Sequence, residues 1–234
     1  RQGELAHEHL DTLNSINNLA GLYHVQERLH EAETLLLCAL KASKRTLGDE
    51  HSDTLFVIAN LADVYDSAGR YDEAETLYVA ALNGRERALG QEHPLTLISL
   101  NNLAQFHVGQ EQYDIAEGLS RRALDAKQRT LGPDHPSTLI SMGNLGDLYL
   151  SLCRHDEAEN FFLRTMEGRQ RSLGPEHPET LDTANRLLML YTSQGRHDEA
   201  ELLFLRVLEA REHTLGEEHP ETLITLNNLA WFRL

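Results

Sequence analysis

A nine-residue segment that recurs at a fixed interval of 42 residues constrains the fold of this chain more than any other feature. Its pattern is Leu-Gly-x-[Glu/Asp]-His-[Pro/Ser]-x-Thr-Leu, and the first copy is degenerate. The copies begin at Leu5, Leu47, Leu89, Leu131, Leu173 and Leu215. A period of this length is typical of repeat architectures, in which each repeat is one small supersecondary element. The chain therefore divides into five whole repeats and a half repeat, namely 5–46, 47–88, 89–130, 131–172, 173–214 and 215–234.

Each repeat begins with a predicted amphipathic helix, helix A. In the second repeat Leu55, Ile58, Leu61 and Tyr65 recur at steps of three or four residues, which places them on one face of a helix. Gly69 can adopt the left-handed conformation that ends a helix. The start is predicted by a proline in the first turn, where its missing N–H has no helical partner to lose. These prolines are Pro94, Pro136, Pro178 and Pro220.

A second helix, helix B, is predicted from an aspartate that is followed three residues later by a glutamate. This spacing resembles a reciprocal capping box, in which the aspartate caps the helix and the glutamate reaches back to it. A second apolar stripe, which includes Leu77, Ala81 and Leu82, continues the helix. The pairs are Asp72 with Glu75, Asp114 with Glu117, Asp156 with Glu159, and Asp198 with Glu201.

One hairpin of this kind cannot bury two apolar stripes by itself, so neighbouring hairpins must stack into a shared core. The sequence therefore predicts an all-α solenoid. No linker interrupts the copies, so we expect a single domain over residues 1–234. Neither end carries a polar capping helix, so we expect a larger parent protein and some end-to-end self-association through the exposed stripes.

Composition narrows the class of function. The chain has 234 residues, of which 41% are hydrophobic and 25% charged, as is typical of a packed globular protein. A formal net charge of −16 argues against nucleic acid, because phosphates are neutralised by clustered lysine and arginine. No apolar run reaches the roughly 20 residues of a membrane span, so no membrane partner is expected. Cys38 and Cys153 are too few for a disulfide framework and favour a reducing compartment, so we expect a cytoplasmic protein.

Short motifs within the helices indicate which class of helical repeat this chain resembles. Helix A carries Leu-[Ala/Gly]-x-x-Tyr, as in Leu61-Ala62…Tyr65, and helix B carries Ala-x-x-x-[Phe/Tyr], as in Ala74…Tyr78. Together with the Leu-Gly-x-x-His-Pro loop, these motifs resemble the tetratricopeptide repeat (TPR) of the 42-residue, kinesin light chain-like type. The resemblance covers nearly the whole chain. It implies a right-handed superhelical solenoid of stacked helix-turn-helix hairpins and a protein-binding function.

The resemblance also implies a binding groove on the concave side, lined by helix A. In TPR domains the residue before Leu-[Ala/Gly] points into that groove, and here it is asparagine in five of six copies. A carboxamide has donors and an acceptor, so a row of them can hold the backbone of an extended peptide or a short helix. The other interpretation is that these asparagines only set the stacking of repeats. The predicted groove residues are Asn18, Asn60, Asn102, Asn144, Arg186 and Asn228, then Asn17, Asn101, Asn185 and Asn227 one residue earlier, and Asp63, Gln105, Asp147, Met189 and Trp231 one turn later.

The chemistry of the predicted groove is mixed and carries little positive charge. Light chain grooves that bind acidic cargo motifs place arginine and lysine among the asparagines, whereas here Arg186 is basic and Asp63 and Asp147 are acidic. We therefore expect a neutral or basic peptide as the partner. The predicted function is that of a cargo or scaffold adaptor. The alternative is a structural spacer, or a self-association or sensor arm of a larger signalling protein.

The sequence predicts neither an enzyme nor a cofactor or metal site. It contains no phosphate loop, dinucleotide fingerprint, nucleophile elbow or zinc-protease motif. One histidine recurs per repeat, from His9 to His219, but stacked hairpins separate equivalent residues by roughly 10 Å, too far to share a zinc ion. We interpret these histidines as structural residues at the helix entry. Basic residues in the last turns of helix B, such as Arg85 and Arg87, are expected to complement the helix dipole.

Overall fold

The computed structural model describes the backbone of residues 2–233 and the side chains of residues 12–233. Over that part of the chain the fold consists of helices joined by short turns, without strands, so the predicted all-α class is confirmed. None of the helices in this range is long and apolar enough to cross a membrane. The helices are α1 (Gln2–Val25), α2 (Leu29–Thr46), α3 (Ser52–Ser67), α4 (Tyr71–Leu89), α5 (Pro94–Gly109), α6 (Tyr113–Thr130), α7 (Pro136–Ser151), α8 (His155–Leu173), α9 (Pro178–Ser193), α10 (His197–Leu215) and α11 (Pro220–Phe232).

The helices pack within two compact units, Arg1–Arg122 and Ala123–Leu234, with the boundary inside α6. Odd-numbered helices are helix A of the predicted repeats, and even-numbered helices are helix B. From α1 to α5, and again from α7 to α11, each helix packs on the next one along the chain, as stacked hairpins require. The apolar stripes meet in the core, where Leu55 and Ile58 of α3 pack with Ala81 of α4. The single domain stays a prediction.

A histidine caps the N-terminus of helix A in five repeats. His51 Nδ1 accepts a hydrogen bond from the backbone N–H of Asp53 at 3.2 Å, and His93 accepts one from Leu95 at the same distance. Each bond satisfies an N–H of the first turn that has no partner within the helix. The interpretation as helix-entry residues is confirmed in these five repeats, and the prolines lie in the first turn as predicted. It is wrong for His9, which lies inside α1 because that helix already begins at Gln2. The other capping histidines are His135, His177 and His219.

The turn from helix A to helix B contains one residue in the left-handed conformation in each whole repeat. Glycine takes this position in two repeats, with φ of 72° at Gly69 and 69° at Gly195. The other three repeats carry Glu27, Glu111 and Cys153, with φ of 59°, 57° and 55°. A side chain in this region of backbone conformation costs about 1–2 kcal/mol. The first, third and fourth repeats therefore each contain a strained turn.

Helix B begins one residue before the predicted aspartate. The N-cap of α4 is Arg70, whose side chain makes no capping hydrogen bond, and Asp72 lies within the first turn. The predicted capping box is therefore wrong. The aspartate instead places negative charge near the positive end of the helix dipole. The glutamate of the predicted box serves the next repeat, since Glu159 of α8 accepts a hydrogen bond from Arg196 at 2.6 Å.

The arginine before helix B links two neighbouring repeats. The guanidinium of Arg70 stacks on the Tyr65 ring at 3.9 Å and forms an ion pair with Glu33 of α2 at 2.7 Å. Because α2 is helix B of the preceding repeat, this ion pair crosses the junction between repeats. In the third repeat the tyrosine and arginine are replaced together by His107 and Gln112, whose side chains hydrogen-bond at 2.5 Å.

A buried cation near the end of helix B forms a second link between repeats. Arg85 is 3% exposed, and its guanidinium donates to Ser99 Oγ at 2.7 Å and to the Leu95 carbonyl at 3.2 Å, both in α5. The position of this arginine in the last turns of helix B predicted an interaction with the dipole of its own helix, whereas the structure shows the contact with α5. At the junction between the first and second repeats, called the first junction, Ser43 stands at the position of Arg85 and Val57 at the position of Ser99. Both members of the hydrogen bond are therefore replaced together. The bond recurs between Lys127 and Ser141, Arg169 and Thr183, and Arg211 and Thr225.

Candidate peptide-binding surface

Of the six groove residues predicted at the position before Leu-[Ala/Gly], five are asparagines. Asn60 and Asn102 are half-buried, whereas Asn18, Asn144 and Asn228 are exposed. None of the five carboxamides makes a hydrogen bond to another residue in the described range 12–233. These side chains therefore form no hydrogen-bonded link between neighbouring repeats in that range. The donors and acceptors of these side chains are therefore open to an external partner.

A cleft of about 630 Å³ opens on the helix A face of the first unit, between α1 and α3. We refer to it as the α1–α3 cleft. It brings together Asn17 and Asn18 of α1 with Asn60 and Asp63 of α3, so four predicted site residues line one opening. The volume lies within the range of about 300–1,000 Å³ that is usual for ligand pockets.

A glycine of α1 leaves room for this cleft. A Cβ added at Gly21 would meet nothing within 4 Å, and the same repeat position holds Asp63 in the second repeat. Large apolar side chains border the opening at Leu22, Val25 and Phe56, and all three are exposed. These three apolar residues were not among the predicted groove residues. The sequence could have identified them as apolar residues that lie outside the buried stripe of their helix.

Two carboxylates give this face of the first unit a negative edge. The Tyr78 hydroxyl donates to Asp63 Oδ1 at 2.5 Å, and burial raises the pKa of Asp63 above its ordinary value. One turn later, burial and the charge of Asp63 raise the pKa of Asp66. His24 of α1 also lines the cleft, and its Nε2 lies 2.7 Å from Ser67 Oγ. Neither aspartate has its pKa lowered by a lysine or an arginine.

In the second unit, two predicted groove residues pair with each other. Arg186 of α9 forms an ion pair with Asp147 of α7 and a second one with Asp182 at 3.2 Å. Burial lowers the pKa of Arg186. Arg186 and Asp147 were both predicted as groove residues, but their contact was not predicted. Arg186 is engaged within the protein, while Asn144 and the half-buried Asn185 remain as polar groups on helix A.

The remaining predicted residues do not line the α1–α3 cleft. Asn101 is half-buried and Gln105 exposed on α5, outside the lining of the cleft. Met189 of α9 and Trp231 of α11 are large apolar side chains that are 67% and 70% exposed. Asn227 of α11 is also exposed.

The comparison with protein families covers almost the whole chain. The model of the tetratricopeptide repeat matches residues 11–87, 60–126, 95–171, 150–213 and 189–232. The chain belongs to the tetratricopeptide repeat family. TPR domains are protein-interaction modules, and this general function applies to the chain. Members of the family are typically non-enzymatic scaffolds.

Solved TPR structures support the same assignment. One solved structure is of a Podosopora anserina protein, described as a kinesin light chain with nearly identical TPR-like repeats. It is 28% identical to this chain, with a TM-score of 0.76, and the match covers 87% of this chain and 96% of that chain. BtubC (BKLC) from P. vanneervenii is 26% identical, with a TM-score of 0.77, over 93% of this chain and 87% of that chain. The predicted kinesin light chain-like type is therefore confirmed. Among curated proteins, no sequence matches significantly.

Proposed function

We propose that this TPR protein binds an extended peptide or a short helix against its helix A face and acts as a cytoplasmic cargo or scaffold adaptor. The observation that carries the proposal is the α1–α3 cleft, in which Asn18 and Asn60 meet without hydrogen-bond partners among the described residues. Unpaired carboxamides of this kind suit the N–H and C=O groups of a peptide backbone. The apolar side chains at the rim offer contacts for a neighbouring side chain of the ligand.

The charge of helix A supports a neutral or basic partner. The helices α1, α3, α5 and α7 contain no lysine or arginine, and Arg186 of α9 is paired with Asp147. An acidic ligand would face Asp63 without a compensating cation, which costs affinity. In this proposal the predicted groove residues of each unit take part in binding, from Asn17 to Gln105 in the first unit and from Asn144 to Trp231 in the second.

The test is a selection of random nine-residue peptides displayed on phage, followed by affinity measurement with the selected peptides. We expect the double variant Asn60→Ala/Asn102→Ala to weaken binding by tenfold or more, since each carboxamide supplies about 1 kcal/mol or more of hydrogen bonding. The matched control is Asn83→Ala/Asn160→Ala, which removes two exposed asparagines from helix B. Equal affinities of the two double variants would contradict the proposal.

An alternative is a self-association arm, and the exposed apolar side chains of α11 favour it. Ile224 and Leu226 are about half exposed, and Trp231 is more exposed still. Analytical ultracentrifugation over a range of concentrations separates the two functions. Self-association through α11 predicts oligomers that vanish in Leu226→Glu/Trp231→Glu and persist in Asn60→Ala/Asn102→Ala.

A further inference from the structure

We propose that the α1–α3 cleft holds a lysine or arginine side chain of the bound peptide, with Asp63 as its charge partner and Asn17 as a hydrogen-bond acceptor. The inference rests on the proposed function and names the chemistry of its ligand at one place. The bound peptide, expected to be neutral or basic, must then carry a lysine or arginine at one position.

The buried polar groups of the cleft call for a hydrogen-bond donor. Asn17 is 4% exposed, and its Oδ1 atom has no partner among the described residues although it is buried. Asp63 receives one hydrogen bond, from the Tyr78 hydroxyl to Oδ1. A carboxylate can accept several hydrogen bonds, so Asp63 retains capacity at its second oxygen. An ammonium or guanidinium group carries several N–H donors and no acceptor, which complements both groups.

Among the side chains of residues 12–233, no lysine or arginine is paired with Asp63. No lysine or arginine occurs in α1 or α3, and His24 contributes the neighbouring imidazole, which already contacts Ser67. The arginines of the adjoining turns are engaged elsewhere. Arg28 pairs with Glu31, and Arg70 pairs with Glu33 and Glu73.

The second unit shows how the protein satisfies the equivalent carboxylate. Asp147 stands at the same repeat position as Asp63, and there the guanidinium of Arg186 binds it from the next helix A. The residue that corresponds to Arg186 one helix beyond Asp63 is Asn102, which is neutral. A cation from a ligand would therefore provide at Asp63 what Arg186 provides at Asp147.

The apolar rim suits the stem of such a side chain. Val25 is 83% exposed, and Leu22 and Phe56 are also exposed beside the carboxylate. Lysine and arginine bury their methylene stems on apolar surface while the charged end seeks a polar partner. Exposed apolar side chains that border a carboxylate and a buried carbonyl oxygen offer both kinds of contact.

The test selects displayed nine-residue peptides in parallel on the wild-type protein and on Asp63→Asn. In this variant the amide oxygen can still accept from Tyr78, so the fold is expected to persist. We expect the wild type to enrich lysine or arginine at one fixed position of the peptide, and Asp63→Asn to lose this enrichment. The control Asp125→Asn removes one exposed carboxylate from helix B and should keep the enrichment.

The selected peptide is then made with norleucine in place of the cation, which removes the charge and keeps most of the stem. We expect about tenfold weaker binding to the wild type, and little difference between the two peptides on Asp63→Asn. Equal binding of both peptides to the wild type, with binding still lost in Asn60→Ala/Asn102→Ala, would overturn this inference and leave the proposed function standing. A selection that yields no peptide at all would overturn both.

Discussion

The buried arginine between the second and third repeats provides a quantitative test of how neighbouring repeats are held together. Arg85→Met keeps an apolar stem in place and removes the guanidinium that donates to Ser99 Oγ at 2.7 Å. A hydrogen bond to a charged group contributes about 1.5–3 kcal/mol. Burial lowers the pKa of Arg85, which shows that desolvation offsets part of this gain. We therefore expect Arg85→Met to lower the free energy of unfolding by about 1–2 kcal/mol.

Ser99→Val removes the same contact from the other side. It leaves the buried guanidinium with the Leu95 carbonyl and without the hydroxyl, so we expect a loss of about 2–3 kcal/mol. The double variant makes both positions apolar, much as Val57 faces no cation at the first junction. It should recover most of the loss, with a coupling energy of about 1.5 kcal/mol or more.

Urea unfolding followed by circular dichroism measures these energies, and native-state hydrogen exchange of α5 amides gives the local effect. Both are needed because a repeat protein does not always unfold in one step. Arg87→Met is the control, since Arg87 is exposed and pairs with Glu50 on the surface, where such a pair contributes less than about 1 kcal/mol. Equal small effects of Arg85→Met and Arg87→Met, or additive effects in the double variant, would refute the role of the buried cation.

Single turns, packing positions and carboxylates give the remaining predictions. Glu111→Gly relieves a left-handed φ of 57° and should raise the free energy of unfolding in urea by about 1 kcal/mol. For the same reason hydrogen exchange should be faster in the first and third repeats than in the fifth, whose turn holds Gly195. Ala184 lines a cleft of about 720 Å³, whereas Met142 at the same position one repeat earlier lines one of about 150 Å³. Ala184→Met should therefore stabilise the protein by about 1 kcal/mol in the same titration. Because burial raises the pKa of Asp63 above 3.8, the native state retains a proton that the unfolded state releases. The contribution of Asp63 to the free energy of unfolding should thus fall as the pH rises from 3.8 through the raised pKa, so thermal melts should show the stability of the wild type falling relative to that of Asp63→Asn over this range.

Each of these predictions has a distinct contrary result. Gln110→Gly introduces a glycine where φ is −91°, so it should destabilise the protein; a similar loss in Glu111→Gly would show that the turn is not strained. Hydrogen exchange at the same rate in all repeats would likewise show that these turns are not strained. A lower stability of Ala184→Met would mean that the cleft does not accept the longer side chain. Parallel pH curves of the wild type and Asp63→Asn would contradict a raised pKa of the buried carboxylate.

The sequence predicted the helices well because the repeat and its two apolar stripes permit few other arrangements. The start of helix A followed from local chemistry, since Pro94 suits the first turn and His93 caps it. The start of helix B did not, because Arg70 makes no capping bond and its position depends on stacking over Tyr65. Contacts of this kind join residues from different helices, and no pattern within one helix predicts them.

The site was predicted in part, for a related physical reason. Asn60 and Asp63 lie one turn apart, so helical periodicity alone places them on one face. The cleft itself depends on the space left by Gly21 on a different helix. The ion pair of Arg186 with Asp147 likewise depends on how two helices pack, and it changes which of the predicted residues are available to a ligand.

An NMR titration shows whether the helix A asparagines hold a peptide. A selected peptide is added to isotopically labelled protein while the side-chain amide resonances of the asparagines are followed. If the asparagines hold the peptide, the resonances of Asn18 and Asn60 shift with the dissociation constant of the peptide, while those of Asn83 and Asn160 on helix B do not move. Shifts confined to Asn83, Asn160 or other residues of helix B would contradict this mode of binding.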